Sequence, residues 1–307
     1  MLHYPRLARH PEVFRAMTGL TVAGFDAVSR DAVPALAEAD RQRLSRPSRR
    51  RALGAGHPTA LAPRDQVLLT VVWLRCYPTD VVLGYLYGVD EATVRRVRGR
   101  VLPVLEALGR DTMRLPDPGK YRRRRLDALL AETPGLAVVV DTFEQPIQRA
   151  TDRVEADTFY SGKKKRHTLK SQVAVEEARG RIVDVAESVR GPTADLTLLK
   201  RSGLLGRLPP HVGALGDLAY IGIAEAHPTG LGATPRRKPR GKERPAEDIA
   251  FNRAFARRRV VVEHSIGRLR RYAAITQPDR HHRRAHTARV VAVAGLVNRQ
   301  LATRAAV

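Results

Sequence analysis

Apolar positions recur at helical spacing through the first third of the chain. Val13, Phe14, Met17 and Leu20 predict a small helical lead-in, and the polar, arginine-rich run from Arg41 to Arg51 predicts a loop after it. Beyond Pro63, which suits a first helical turn, Val67, Leu68, Val71, Val72 and Leu74 form one apolar face. That helix has to end near Tyr77-Pro78. Thr79 then offers an N-cap for a short second helix, Asp80 to Tyr87, which Gly88 closes, and Asp90 caps a third running to about Leu108. Helix, short helix, glycine turn and basic helix is the order of a helix-turn-helix, whose last helix enters a major groove with its N-terminal residues at base edges. Thr93, Arg95, Arg96 and Arg100 are the candidate DNA contacts on it. The competing reading is a three-helix bundle with a solvated basic face.

Past Gly135 the periodicity becomes that of strands. Leu136 to Val140 is a continuous apolar run ending at Asp141, the pattern of a buried strand that presents an acid at its end. Thr168 to Val175 and Arg181 to Ser188, with a hairpin turn around Gly180, predict three adjacent antiparallel strands. A helix over about Ala194 to Leu205, capped by Thr193, precedes a fourth strand that ends at Asp217. Residues 228 to 245, rich in Pro, Gly, Arg and Lys, predict a basic loop. A helix from near Pro245 to about Ala274 carries Glu263, and an apolar helix from roughly His286 to Arg304 closes the chain. The expected class is α+β or α/β in three parts: a helical lead-in with a basic loop over 1–60, a helix-turn-helix region over 61–130 and a mixed-sheet domain over 131–307.

Composition adds a partner. The 307 residues, 43% of them hydrophobic, support a real core, but 55 Lys plus Arg against 31 Asp plus Glu leave a formal charge of +24, far more than solubility needs. Such an excess points to a polyanion, with nucleic acid ahead of an anionic membrane surface. The clusters Arg46-Pro47-Ser48-Arg49-Arg50-Arg51 and Tyr121-Arg122-Arg123-Arg124-Arg125 are candidate phosphate contacts. No run of 18 apolar residues exists and Met1 to His10 lacks the apolar core of a secretory signal, so no membrane partner and a cytoplasmic, nucleoid-associated location are expected. The single cysteine, Cys76, excludes an internal disulfide framework and a cysteine-based zinc site, and its apolar neighbours predict a buried packing role. Trp73 reads as core, and His281-His282 with Arg280, Arg283 and Arg284 as a solvated basic loop.

Three carboxylates remain. Asp141, Asp217 and Glu263 sit at a strand end, a strand end and within a basic helix. Each alone has an ordinary explanation, a turn-forming Asp or an ion-paired Glu. Together, acids from separate elements are what hard divalent cations take as ligands. His264, one position on from Glu263, points about 100° away around the helix and is the weaker candidate.

The motifs Val-Val-Val-Asp141-Thr, Leu-Gly-Asp217-Leu-Ala-Tyr220 and Arg-Arg-Val-Val-Val-Glu263-His-Ser-Ile-Gly-Arg-Leu resemble the acidic triad of DDE transposases, in particular the insertion-sequence-five group and the related Harbinger transposases. Tyr160 to Lys170, Pro235-Arg236-Arg237-Lys238-Pro239, Phe251-Asn252 and Arg259 fit the same pattern. Thr142 and Ala219 stand where that pattern has glycine. The resemblance implies an RNase-H-like catalytic domain with two Mg²⁺ or Mn²⁺ ions, Asp141 bridging both while Asp217 and Glu263 complete one site each. It also implies that Lys163 and His167 lie near the site or hold a DNA strand, with Arg259 serving as a DNA contact. The implied activity is that of a DNA transposase, acting as a homodimer or higher oligomer. It would bind terminal inverted repeats of double-stranded DNA through residues 61–110, cut a phosphodiester and join the 3′-hydroxyl to target DNA. A catalytically decayed or domesticated copy acting as a DNA-binding protein or nuclease, or a structural or ribosome-associated basic protein, are the alternatives.

Overall fold

Prolines and side-chain caps start the helices of the amino-terminal region in the computed structural model, which describes residues 1–45, 59–120, 126 and 128–305. The arginine clusters at 46–51 and 121–125 lie outside the described residues. Pro5 and Pro11 open α1 (Tyr4–Leu7) and α2 (Pro11–Thr18), and the Thr21 hydroxyl accepts the Gly24 N–H to cap α3 (Val22–Leu44). The helical lead-in is therefore larger than its apolar spacing predicts. α3 runs into the stretch expected to be a loop, where Arg43 and Asp40 pair within one turn and good helix formers dominate.

The next three helices are α4 (Pro63–Cys76), α5 (Asp80–Tyr87) and α6 (Glu91–Arg110). Thr79 accepts from the Val82 N–H and Asp90 from the Thr93 N–H, and Gly88 ends α5 at φ 68°. Trp73 is buried, with the Arg98 guanidinium 4.5 Å over its ring. Cys76 is a correction: it is exposed, because α4 ends there and Tyr77 turns into the left-handed region. Its Sγ lies 3.5 Å from the Met17 carbonyl oxygen.

The chain divides into two compact units. Met1–Thr112 cluster with Leu269–Gln277 and Ala288–Val307, and Met113–Arg268 cluster with Pro278–Thr287. Most of the carboxy-terminal helix thus belongs to the first unit. Gly109 of α6 meets Gly295 of that helix so closely that a Cβ on Gly295 would lie 2.4 Å from the Gly109 Cα.

The second unit is built on a seven-stranded mixed sheet. It contains β1 (Ala137–Pro146), α7 (Arg153–Thr158), β2 (Tyr160–Ser161), β3 (Arg166–Glu176), β4 (Ile182–Val185), β5 (Val189–Arg190), α8 (Asp195–Ser202), α9 (Leu204–Arg207), β6 (Gly213–Leu215), α10 (Ile223–Ala226), β7 (Gly232–Ala233) and most of α11 (Ala246–Leu269). β3 pairs antiparallel with β1, β2, β4 and β5, and β6 runs parallel to both β1 and β7. The predicted third strand is split into β4 and β5, and the predicted helix after it is split at Gly203, which adopts φ 66°. α11 stops at Leu269, short of the expected Ala274, and α12 (His286–Ala305) ends the described chain. Val138, Val140, Ala174, Leu199, Ala214 and Tyr220 belong to the core cluster under the sheet. Helices followed by a mixed sheet make the chain α+β. No helix among the described residues is long and apolar enough to cross a membrane.

Candidate active site

β1 and β6 are parallel, and their last paired residues are Val139 and Leu215. Each strand carries an acid two residues beyond that pair, Asp141 on one and Asp217 on the other. Parallel neighbours advance in step, so equal overhang brings both acids to the same end of the sheet. Asp141 is still held in β1, opposite Val173 of β3. Asp217 has left the sheet and caps a single 3-10 turn, Leu218–Tyr220, accepting the Ala219 N–H at 2.9 Å. Gly216 permits this turn: a Cβ there would meet the Tyr220 Cβ at 2.5 Å. Tyr220 is fully buried and its hydroxyl donates to Gln172 Oε1 at 3.3 Å.

The departures from glycine at 142 and 219 have a simple physical reading. Asp141 Oδ1 accepts the Thr142 N–H at 2.7 Å, and Asp217 Oδ1 accepts that of Ala219. Both contacts use the backbone, which threonine and alanine supply as well as glycine. In each acid the second carboxylate oxygen has no hydrogen-bond partner among the described residues.

Burial pushes the Asp141 carboxyl above the usual carboxylate range. The Thr142 N–H and Arg259 oppose that shift, while the nearby charges of Asp217 and Asp195 add to it. Asp195 is a residue that sequence reasoning missed. It is the first residue of α8, accepts Lys170 Nζ at 2.6 Å, and shares that ammonium with the Thr193 carbonyl at 2.6 Å. An acid in the first turn of a helix looks like ordinary dipole compensation, so nothing in the sequence marks it. Thr193, expected as the cap of this helix, gives its carbonyl to Lys170 instead, and Ala194 occupies the cap position without a side-chain bond.

α11 faces this region. Arg258 is nearly fully buried and forms a two-pronged pair with Glu177 at 2.8 and 2.6 Å, while also donating to Thr133 Oγ1 and the Pro134 carbonyl at 2.7 Å each. The adjacent Arg259 places Nη2 4.0 Å from Asp141 Oδ2. Glu263 lies one turn on from Arg259 on the same helical face and is exposed, as is His264. The structure therefore brings Asp141, Asp217, Asp195 and Arg259 within electrostatic reach of one another, with Glu263 exposed one turn along α11 from Arg259. Among the described residues no three His, Cys, Asp or Glu side chains stand close enough together to hold a metal ion. Lys163 is exposed on the turn between β2 and β3, and the His167 ring lies 5.6 Å from that of Tyr160 across those strands.

In the first unit the four candidate DNA contacts differ in their commitments. Thr93 donates its hydroxyl to Asp90 at 2.8 Å, and Arg96, largely exposed, reaches back to the Thr93 hydroxyl at 2.9 Å. Arg95 is exposed and pairs with Glu91 and Asp80. Arg100 is turned toward Asp40 of α3 in a two-pronged pair, so its charge is already engaged.

Comparison with known proteins follows the same division. A family model described as a DDE superfamily endonuclease matches residues 140–298, and one described as the helix-turn-helix of a DDE superfamily endonuclease matches residues 59–111. The chain is 29% identical over 292 residues, 95% of each sequence, to the probable transposase for insertion sequence element IS702 of Microchaete diplosiphon. No solved structure matches. With its paired strand-end acids inside the first match and its capped basic helix inside the second, the chain belongs to the DDE superfamily of endonucleases.

Proposed function

We propose that this endonuclease is a DNA transposase that recognises inverted repeats at the ends of its element, cuts a phosphodiester there and joins the freed 3′-hydroxyl to target DNA. The observation that carries the reading is the equal overhang of Asp141 and Asp217 beyond the parallel β1–β6 pair. Kinship over nearly the whole chain with a probable transposase supports the reaction type.

The oxygen donors of Asp141 and Asp217, at the same end of the sheet, are of the kind that hard divalent cations take. Asp141 and Asp217 each keep one carboxylate oxygen with no hydrogen bond among the described residues, and burial, with smaller pushes from Asp217 and Asp195, raises the Asp141 carboxyl, a charge cost that a bound cation relieves. Asp141, Asp217 and Glu263 would hold two Mg²⁺ or Mn²⁺ ions, with water and phosphate oxygens as the remaining ligands. When bound, such a pair polarises the phosphate and activates a water or 3′-hydroxyl for in-line displacement. Arg259 then directs the phosphate: its guanidinium beside Asp141 pairs with non-bridging oxygens in a fixed plane. Glu263 joins from the same face of α11, and the buried Arg258 latch sets the angle at which it does so. Lys163 and His167, on the β2–β3 turn and strand, hold a DNA strand beside the site. Thr93, Arg95 and Arg96 read or grip the duplex, and Arg100 reaches it only by leaving Asp40. Holding two element ends together requires at least two copies of the chain on DNA, within the nucleoid.

The test is a cleavage and strand-transfer assay on element-end DNA. Asp141→Ala and Glu263→Ala are expected to lose at least about 10²-fold in cleavage, the scale of removing one charge-stabilising group, while still shifting the duplex. Wild-type cleavage by either variant with Mg²⁺ or Mn²⁺ would show that these acids are not the catalytic ones.

A further inference from the structure

A second, positively charged cavity lies in the same unit, away from the paired acids. It is an open hollow of about 420 Å³ between β3, β5, α8 and the segment before α12, and four arginines line it: Arg190, Arg201, Arg283 and Arg284. Phe159 forms part of its wall, with the Arg283 guanidinium 4.4 Å and that of Arg190 5.4 Å from the ring centroid. Of the four, Arg283 pairs with a carboxylate, Glu155, at 2.5 Å. Arg190, Arg201 and Arg284 are exposed and have no carboxylate partner among the described residues. Like charges converging on one cavity repel each other, an arrangement that a bound anion relieves.

The cavity wall is fixed. Next to the wall residue Arg190, the Gly191 N–H donates to the Thr168 carbonyl at 2.9 Å, and the wall residue Thr193 gives its carbonyl to Lys170. Lys170 in turn holds Asp195, whose charge acts on Asp141. One short segment, Gly191 to Asp195, therefore links the basic cavity to the acidic site. The planar guanidinium fork suits phosphate oxygens, and Phe159 holds two of the forks against an apolar face.

We propose that this cavity binds a phosphodiester of the DNA backbone to one side of the bond being cut, a second phosphate site separate from the acids. The proposal rests on the reading of the protein as a DNA-cutting enzyme. A free inorganic anion has the same chemistry, and the experiment separates the two sources.

Full-length wild-type protein, Arg201→Ala/Arg284→Ala, the charge-keeping Arg201→Lys/Arg284→Lys and a control, Arg149→Ala/Arg253→Ala, are titrated with a fluorescein-labelled duplex of arbitrary sequence at several salt concentrations. Neither target arginine is ion-paired among the described residues, so the variants are expected to fold. The expected result is a several-fold weaker affinity for the alanine pair at low salt. The slope of log K against log salt should be shallower by about one to two, at roughly 0.9 per phosphate contact. The lysine pair should recover most of the slope, and the control should leave it closer to wild type. An unchanged slope, or an equal loss in the control, overturns the cavity proposal while leaving wild-type DNA binding and the proposed function intact. A wild-type protein that binds no duplex overturns both. Thermal stabilisation by inorganic phosphate that disappears in the alanine pair, with no change in the DNA slope, makes this a free-anion site and overturns the DNA assignment.

Discussion

Asp90 shows how much one side chain can fix. Its carboxylate accepts both the backbone N–H and the hydroxyl of Thr93, and these bonds hold its pKa below the usual carboxylate value. A depressed folded-state pKa stabilises the native state above the unfolded pKa, and that stabilisation is lost as the pH falls through the folded value. Asp90→Ala should therefore lower the melting temperature at neutral pH, with the gap to wild type closing in acid, as read by circular dichroism across a pH series. A gap that stays constant with pH would mean that the carboxylate charge is not what caps α6. At this scale Asp90, Thr79 and Gly88 were legible because caps and stops act locally, on the next few residues. Asp195 and Arg98 were not. What marks them is a distant partner: Lys170 for the first, Asp80 and Trp73 for the second. Cys76 misled because its apolar neighbours lie on the buried face of α4, while it sits at the exposed end of that helix.

Among the elements, α11 has the most dependents. It contains a buried arginine, an arginine at the acidic site and an exposed glutamate within two turns. Removing the buried arginine by Arg258→Ala takes the two-pronged guanidinium from Glu177, whose side chain is only 5% exposed, and should destabilise the second unit by about 3–5 kcal/mol in chemical denaturation. Replacing both partners by apolar residues of similar volume should recover much of that loss. If the single variant unfolds like wild type, the latch is ornamental. The existence of α4, α5, α6, β1 and α11 was readable from periodicity and punctuation. The breaks at Gly203 and between β4 and β5 were not, since they answer to pairing with β3 and to packing under the sheet. The strand-end acids were readable as types and positions. Their equal overhang needed the parallel register of β1 and β6.

For the whole molecule, the charge of +24 acts in two opposite directions. Self-repulsion weakens the folded chain and salt screens it, so added KCl should raise the melting temperature of the DNA-free protein over the range in which it weakens DNA binding. Calorimetry and anisotropy on one salt series would check this, and a melting temperature that falls with salt would contradict it. Chain order matters at this scale as well. The polypeptide passes between its two compact units four times, and the first unit is completed by residues near the carboxyl end, where Gly295 closes on Gly109. During synthesis the amino-terminal region emerges first but cannot finish folding until α12, which completes its unit, has left the ribosome. A nascent chain thus carries α6 in an incomplete setting until residues 288–305 have emerged, and a chain cut short before them has a first unit that never closes.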